Sequence, residues 1–230
     1  MSTAPSDEPT GSKQLFDELE IPEMAARIMR AAIHLFARKG YSATSVREIV
    51  QEAHVTNPML YYYFDSKEGL FRRLLDVLNS AMEQGVREAL AQDVPLKSKV
   101  LQIWQIHLEA ARSAPEALRF VYAVLFGPSE GRPPHDMFHR RQELMAEITA
   151  MFASAIKRGE LTVRQGVTPE VLTMRLFAGI NQHMMFSLKI MELADAPDII
   201  PMVDLTTMLG PHAAQGQVDF FFYGAGRLRE

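Results

Sequence analysis

Two short apolar-patterned segments separated by only three residues constrain this chain more than anything else in it. The first opens on Ser45-x-x-Glu48 and carries Val46, Ile49, Val50 and Ala53 inward. A serine followed three residues later by glutamate is a capping box, in which each side chain satisfies a backbone N–H of the first helical turn. The second segment opens on Thr56-Asn57-Pro58, with proline in a first turn where its missing N–H does no harm. Between them stand Ala53-His54-Val55. Helices of about two turns cannot persist alone in water, so both must pack on a third. That third helix is predicted just upstream, where Ile28, Ala32, Leu35 and Phe36 recur at i, i+4, i+7 and i+8. Arg38 and Lys39 suit its negative end and Gly40 its stop.

The rest of the chain also reads as helix. Ser66 is placed to cap a long helix bearing Leu70, Leu74, Val77, Leu78 and Ala81, and further stripes run through Val100, Ile103, Trp104, His107 and Leu108, then Leu118, Val121, Tyr122 and Leu125. The stretch Gly127-Pro-Ser-Glu-Gly-Arg-Pro-Pro134 is a loop. Helical patterns return over about 136–158, 169–192 and 211–225, broken at Gly159 and over 195–201, and alternating strand patterns are scarce. The expected fold is all-α: a three-helix helix-turn-helix DNA-binding domain followed by a larger helical domain. By chain order, residues 1–20 form a disordered tail, 21–66 the reader, 67–90 a connecting helix and 91–230 a helical body.

Composition narrows the function. With no cysteine there is no disulfide framework and no thiolate ligand or nucleophile. Apolar residues make up 47%, yet no run of about eighteen uncharged apolar residues exists to span a bilayer, and Met1–Lys13 lacks a secretory apolar stretch. A cytoplasmic location is expected. The net charge is −4, unevenly spread: residues 1–20 hold one lysine against five acids, while 21–78 hold eight basic residues against six acidic ones. A weakly basic segment in an acidic protein suits a small DNA-reading module on a larger body. No phosphate loop, dinucleotide fingerprint, zinc-protease motif or nucleophile elbow is present, so neither enzyme activity nor a cofactor is expected. His135, His139 and Glu143 lie at helical spacing, but as polar residues at a helix start, and no metal site is assigned.

A helix-turn-helix sets its second helix into the major groove with its amino-terminal side chains toward the base edges. The ordered set Ala32-x-x-Leu35-Phe36-x-x-x-Gly40-Tyr41, Thr44-Ser-Val-Arg-Glu-Ile49, Leu60-Tyr61-x-x-Phe64 and Ser66-Lys67-Glu68 resembles the tetracycline-repressor (TetR) family of transcription regulators over about residues 24–78. It departs from the family pattern at His54, where glycine is usual in the turn. Asn57 can pair bidentately with adenine, and Met59 can press on a thymine methyl. Arg47 can reach guanine or phosphate, Thr56 opens the recognition helix, and Thr44, Ser45, Tyr61, Tyr63 and Lys67 offer donors toward the DNA backbone. The resemblance implies matching roles at these positions. The tyrosine run also suits core packing, to which Tyr62 is assigned.

The same resemblance makes residues 91–230 the ligand-binding and dimerisation domain and implies a small-molecule effector, largely apolar, held among Trp104, His107, Phe120, Tyr122, Met174, Phe177, His183 and Met184, although each of these also suits a helical core. Reading two half-sites implies a homodimer, expected through 169–192 and 211–225, where Phe220-Phe-Phe-Tyr223 exceeds what a terminal helix needs internally. The function expected is a repressor on a palindromic DNA operator, released by its effector. A helical binding protein or enzyme with a vestigial helix-turn-helix, or an activator, is the alternative.

Overall fold

The computed structural model describes Phe16, residues 20–193 and residues 205–228. Its elements in chain order are α1 (Glu23–Lys39), α2 (Val46–Glu52), α3 (Asn57–Phe64), α4 (Lys67–Ala91), α5 (Leu96–Ser113), α6 (Pro115–Phe126), α7 (Met137–Lys157), β1 (Leu161–Val163), α8 (Pro169–Leu193), α9 (Leu205–Leu209), α10 (Ala213–Ala225) and β2 (Gly226–Leu228). Packing divides the chain into two units: residues up to Asn79 with 112–135, and 80–111 with 136 onward.

The first unit is organised by α1. Its buried residues are Ala25, Ala26, Ile28, Met29, Ala31, Ala32, Ile33 and Phe36, too wide an arc for one neighbour. The stripe expected at Ile28, Ala32 and Phe36 is there, while Leu35 is only half-buried and a second stripe, Ala25-Met29-Ile33, joins it. α1 packs against α2, α3 and α6. Phe120 of α6 stacks on Phe36 with ring centroids 5.8 Å apart, Phe71 meets Phe120 edge-on at 5.6 Å, and Tyr41 meets Phe71 at 4.9 Å. Such pairs each add about 0.5–1.5 kcal/mol beyond burial. His34 Nδ1 lies 3.0 Å from the Glu116 carboxylate on the same seam.

Residues 112–135, placed in the body by chain order, therefore pack with the reader. The loop after α6 is tied into this unit as well. Arg132 caps the last turn of α6, donating to the carbonyls of Ala123, Val124 and Gly127, and Ser42 Oγ donates to the Gly131 carbonyl at 2.9 Å. Phe16, assigned to a disordered tail, is fully buried, and its carbonyl accepts from the Ile21 N–H. The remainder of that tail, apart from Glu20, lies outside the described residues.

In the second unit the core combines Val100, Ile103, Trp104 and Leu108 of α5, Ile148 and Phe152 of α7, Leu172, Leu176, Ile180 and Met184 of α8, and Val218 and Phe222 of α10. One feature lies outside the all-helical expectation: β1 and β2 pair antiparallel, Leu161 opposite Leu228, Thr162 opposite Arg227 and Val163 opposite Gly226. Three-residue strands carry almost no sequence signal, and this pairing joins segments more than sixty residues apart. His135 precedes the start of α7 at Met137, so it does not share the helical face of His139 and Glu143. The break expected over 195–201 lies outside the described residues. No described helix is long and apolar enough to cross a membrane.

The join between α3 and α4 is the tightest point of the first unit. Ser66 Oγ caps α4 by accepting from the Gly69 N–H at 2.9 Å. A Cβ on Gly69 would stand 2.1 Å from the Phe64 carbonyl oxygen, a backbone atom that cannot swing aside. Gly69→Ala is therefore expected to destabilise the first unit by about 1–3 kcal/mol, as overpacking does. Thermal unfolding of the full chain checks this, and an unchanged melting temperature would refute the close approach.

Candidate nucleic-acid interface

The capping box expected at the start of α2 is present in both directions. Ser45 N–H donates to a Glu48 carboxylate oxygen at 2.8 Å, and Glu48 N–H donates to Ser45 Oγ at 3.2 Å. Ser45 Oγ also donates to that carboxylate at 2.8 Å, and Lys39 pairs with the other oxygen. The Lys39 contact, followed by the Ser45 bonds, holds the Glu48 carboxyl at about 2 against an ordinary 4.5. The Ser45 hydroxyl thus works inside the cap rather than standing free for phosphate, although the residue is exposed.

α3 is anchored by Leu60 and Phe64, one turn apart and both buried. Thr56 occupies the N-cap position without a side-chain cap bond, so its hydroxyl is left to the outer surface. Thr56 and Asn57 are exposed, as is Arg47 on α2, and none of the three side chains is engaged among the described residues. Met59 and Tyr63 are half-buried. Tyr61 is 48% exposed, and Tyr62, assigned to the core, is 82% exposed. The correction follows from the helical period: Leu60 and Phe64 face inward, and a residue two positions on from Leu60 points to the opposite side. Tyr62 meets the Tyr63 ring edge-on at 5.0 Å and belongs with the outward groups.

Two other assignments change. Thr44 is 1% exposed, with its hydroxyl donating to the Gly40 carbonyl at 2.8 Å, so it offers nothing to a DNA backbone. Lys67 donates to the carbonyls of Tyr41 (3.0 Å) and Thr44 (2.8 Å) and sits 4.1 Å above the Tyr41 ring. Burial pulls its pKa down and Glu48 pulls it up. It buckles the start of α4 to the α1–α2 loop and keeps at most one proton for a phosphate.

The residues assigned to an effector pocket fall into two groups. Phe120 and Tyr122 belong to the first unit, Phe120 in the aromatic cluster on α1 and Tyr122 against Phe126, so they do not line an interior of the second. Met174 is 64% exposed and faces outward. Trp104, His107, Phe177, His183 and Met184 are buried in the second unit, where the Trp104 ring meets His183 edge-on at 5.6 Å. His107 Nδ1–H donates to the Ile103 carbonyl at 2.8 Å, which leaves Nε2 as an acceptor. Burial, aided by Arg141 and opposed by the Ile103 bond, pushes its pKa down to about 4, so the ring is neutral. The Trp104 indole N–H is buried without an acceptor among the described residues. Arg141, absent from the sequence assignment, lies over the Phe177 ring and donates to Asn181. A separate open groove of about 450 Å³ in the same unit is lined by Arg87, Leu90, Leu96, Lys99, Met151 and Arg158 among others, and by none of the assigned pocket residues.

The buckle generates a prediction. Lys67→Met should lower the stability of the first unit by about 1.5–3 kcal/mol, the usual worth of hydrogen bonds to a charged group. A melting temperature equal to that of the wild type, with only DNA affinity reduced, would return Lys67 to the role of a simple phosphate contact.

Comparison with known proteins identifies the module. Residues 28–74 match the family model described as bacterial regulatory proteins, tetR family. The HTH-type transcriptional regulator RutR of Escherichia coli K12 is 25% identical over 166 residues, covering 70% of this chain and 73% of RutR. Among solved structures, NalD of Pseudomonas aeruginosa, the secondary repressor of the MexAB-OprM multidrug efflux pump, superposes with a TM-score of 0.64 at 22% identity, covering 92% of this chain and 98% of NalD. The Bacillus subtilis regulator FadR in complex with stearoyl-CoA gives 0.59 at 15% identity, covering 86% and 97%. The helix-turn-helix, its exposed recognition face and the family match together identify residues 28–74 as a DNA-binding domain of the tetR family of bacterial regulatory proteins.

Proposed function

We propose that the protein is a homodimeric repressor that binds a palindromic operator through α2 and α3 and is released by a small, largely apolar effector held in the second unit. One observation carries the DNA-binding part. Neighbouring polar side chains (Thr44, Ser45, Lys67) are spent on the fold, whereas Arg47, Thr56, Asn57, Tyr61 and Tyr62 face outward on the helix pair α2 and α3, the second of which enters the groove in a helix-turn-helix. In this reading Asn57 and Arg47 address base edges, Met59 a thymine methyl, and Thr56, Tyr61, Tyr62 and Tyr63 the backbone.

The dimer is supported by apolar residues turned outward on the two expected segments. Met174, Met185 and Phe186 are exposed on α8, and Phe220 and Tyr223 are 80% and 75% exposed on α10. Large apolar groups exposed together on two helices mark an interaction face. The effector part is supported by the buried polar groups Trp104, whose indole N–H has no acceptor among the described residues, and His107, together with buried Phe177 and Met184, and by the FadR neighbour, which holds stearoyl-CoA. Bound effector would favour a dimer whose recognition helices no longer match the half-site spacing.

Two outcomes test this. Asn57→Ala should cost roughly 1–3 kcal/mol per half-site on the DNA sequence recovered by in vitro selection, with little loss on scrambled DNA at the same salt concentration. Equal loss on both would place Asn57 on the backbone instead. Phe220→Asp buries a charge in the proposed dimer face, so sedimentation should show monomer, and affinity for a two-half-site duplex should drop while a single half-site is bound as before. A Phe220→Asp protein that stays dimeric removes α10 from the interface.

A further inference from the structure

The turn between α2 and α3 is held by a residue outside it. α2 ends with Val55 N–H donating to the Val50 carbonyl at 2.9 Å and His54 N–H donating to the Gln51 carbonyl at 3.2 Å. This is the Schellman pattern of bonds, and it requires a left-handed backbone at residue 54. His54 supplies it with φ 52°, although its Cβ crowds a conformation that glycine would adopt freely. The carbonyls of Ala53 and His54 lie at the end of the helix, where no further helical N–H can reach them. A single guanidinium nitrogen of Arg27 donates to both, at 2.7 Å to Ala53 and 3.3 Å to His54.

Arg27 is a residue of α1, which is buried on two stripes in the first unit, so the turn is tied to a helix packed on both sides. We infer that Arg27 is the positioning residue that holds this glycine-free turn, and with it the angle at which α3 meets DNA. A guanidinium suits the task because its donors are fixed in one plane and its charge does not depend on pH. The Ala53 and His54 carbonyls are the first groups α3 hangs from, and a small change in the dihedrals there displaces the exposed end of the recognition helix. Arg27 needs no contact with DNA to act this way. Its test must therefore separate a held turn from an ordinary phosphate contact.

The full-length wild-type chain is first used to select its preferred duplex from random DNA. That duplex and a scrambled one of equal composition then serve as probes for Arg27→Met, His54→Gly and the double variant, each checked for folding by circular dichroism. Arg27→Met should bind the selected duplex on the order of tenfold more weakly, a loss of two charge-assisted bonds spread over turn and helix. Binding to the scrambled duplex and the dependence of log K on log salt should stay as in the wild type. Adding His54→Gly, which relaxes the backbone that Arg27 holds, should restore most of the loss. The inference is overturned if Arg27→Met binds the selected duplex normally, or if both duplexes weaken alike with a shallower salt slope, as a lost phosphate contact requires. It is equally overturned if His54→Gly restores nothing. Should Arg27→Met fail to fold, the double variant decides: it folds and selects the same duplex if the turn is where Arg27 acts, and a double variant that also fails refutes that.

Discussion

The two-sided burial of α1 is the constraint on which the first unit depends. A helix that carries two apolar stripes must be covered on both, and the short helices α2 and α3 cover only part of it. The remainder is taken by α6, a segment distant in sequence, through the Phe36–Phe120 stack and the His34–Glu116 pair. The reader is thus built from more than a helix-turn-helix. It includes a helix that lies, along the chain, between two parts of the other unit.

Hydrogen-bond accounting separates what this unit spends on itself from what it keeps for a partner. Thr44, Ser45, Lys67 and Arg27 look, by residue type, like groups that could contact DNA, and each is committed to carbonyls or to a cap. A buried or half-buried donor that lost its acceptor would cost more than a phosphate contact returns, so these side chains stay where the fold needs them. Arg47, Thr56 and Asn57 carry no such commitment among the described residues. The division follows from local geometry: loops around α1 and α2 expose carbonyls that only long or hydroxyl-bearing side chains can reach, whereas the outer face of α3 has its carbonyls already paired within the helix.

The second unit buries a few polar groups within its apolar core and turns several large apolar groups outward. His107 is neutral in its buried site, the Trp104 N–H lacks an acceptor among the described residues, and Arg141 stands close enough to depress the His107 pKa. Meanwhile Phe186, Phe220 and Tyr223 face outward. Either feature alone would be a cost to a monomeric helical bundle, since buried donors want partners and large exposed rings want cover. Together they fit a body that is completed by what binds it.

Periodicity and capping determined much of this protein without any structure. The helices from α1 to α8 and α10 were legible because each repeats its apolar residues at helical spacing, and the starts of α2 and α4 because Ser45 and Ser66 can satisfy free N–H groups. The exposure of Tyr62 was legible too, from the positions of Leu60 and Phe64, had the period been applied to it. Tertiary structure alone decided the rest. That α6 packs with the reader, that Phe120 and Met174 leave the effector list, and that residues 161–163 pair with 226–228 all depend on which surfaces meet, and an amphipathic pattern states only that a face must be covered. In the same way, Ser45-x-x-Glu48 announced its own cap, because both partners lie within one turn. The grip of Lys67 on residues 41 and 44, and of Arg27 on 53 and 54, could not be read from spacing, because those bonds join side chains to backbone carbonyls more than twenty residues away, and every residue offers a carbonyl.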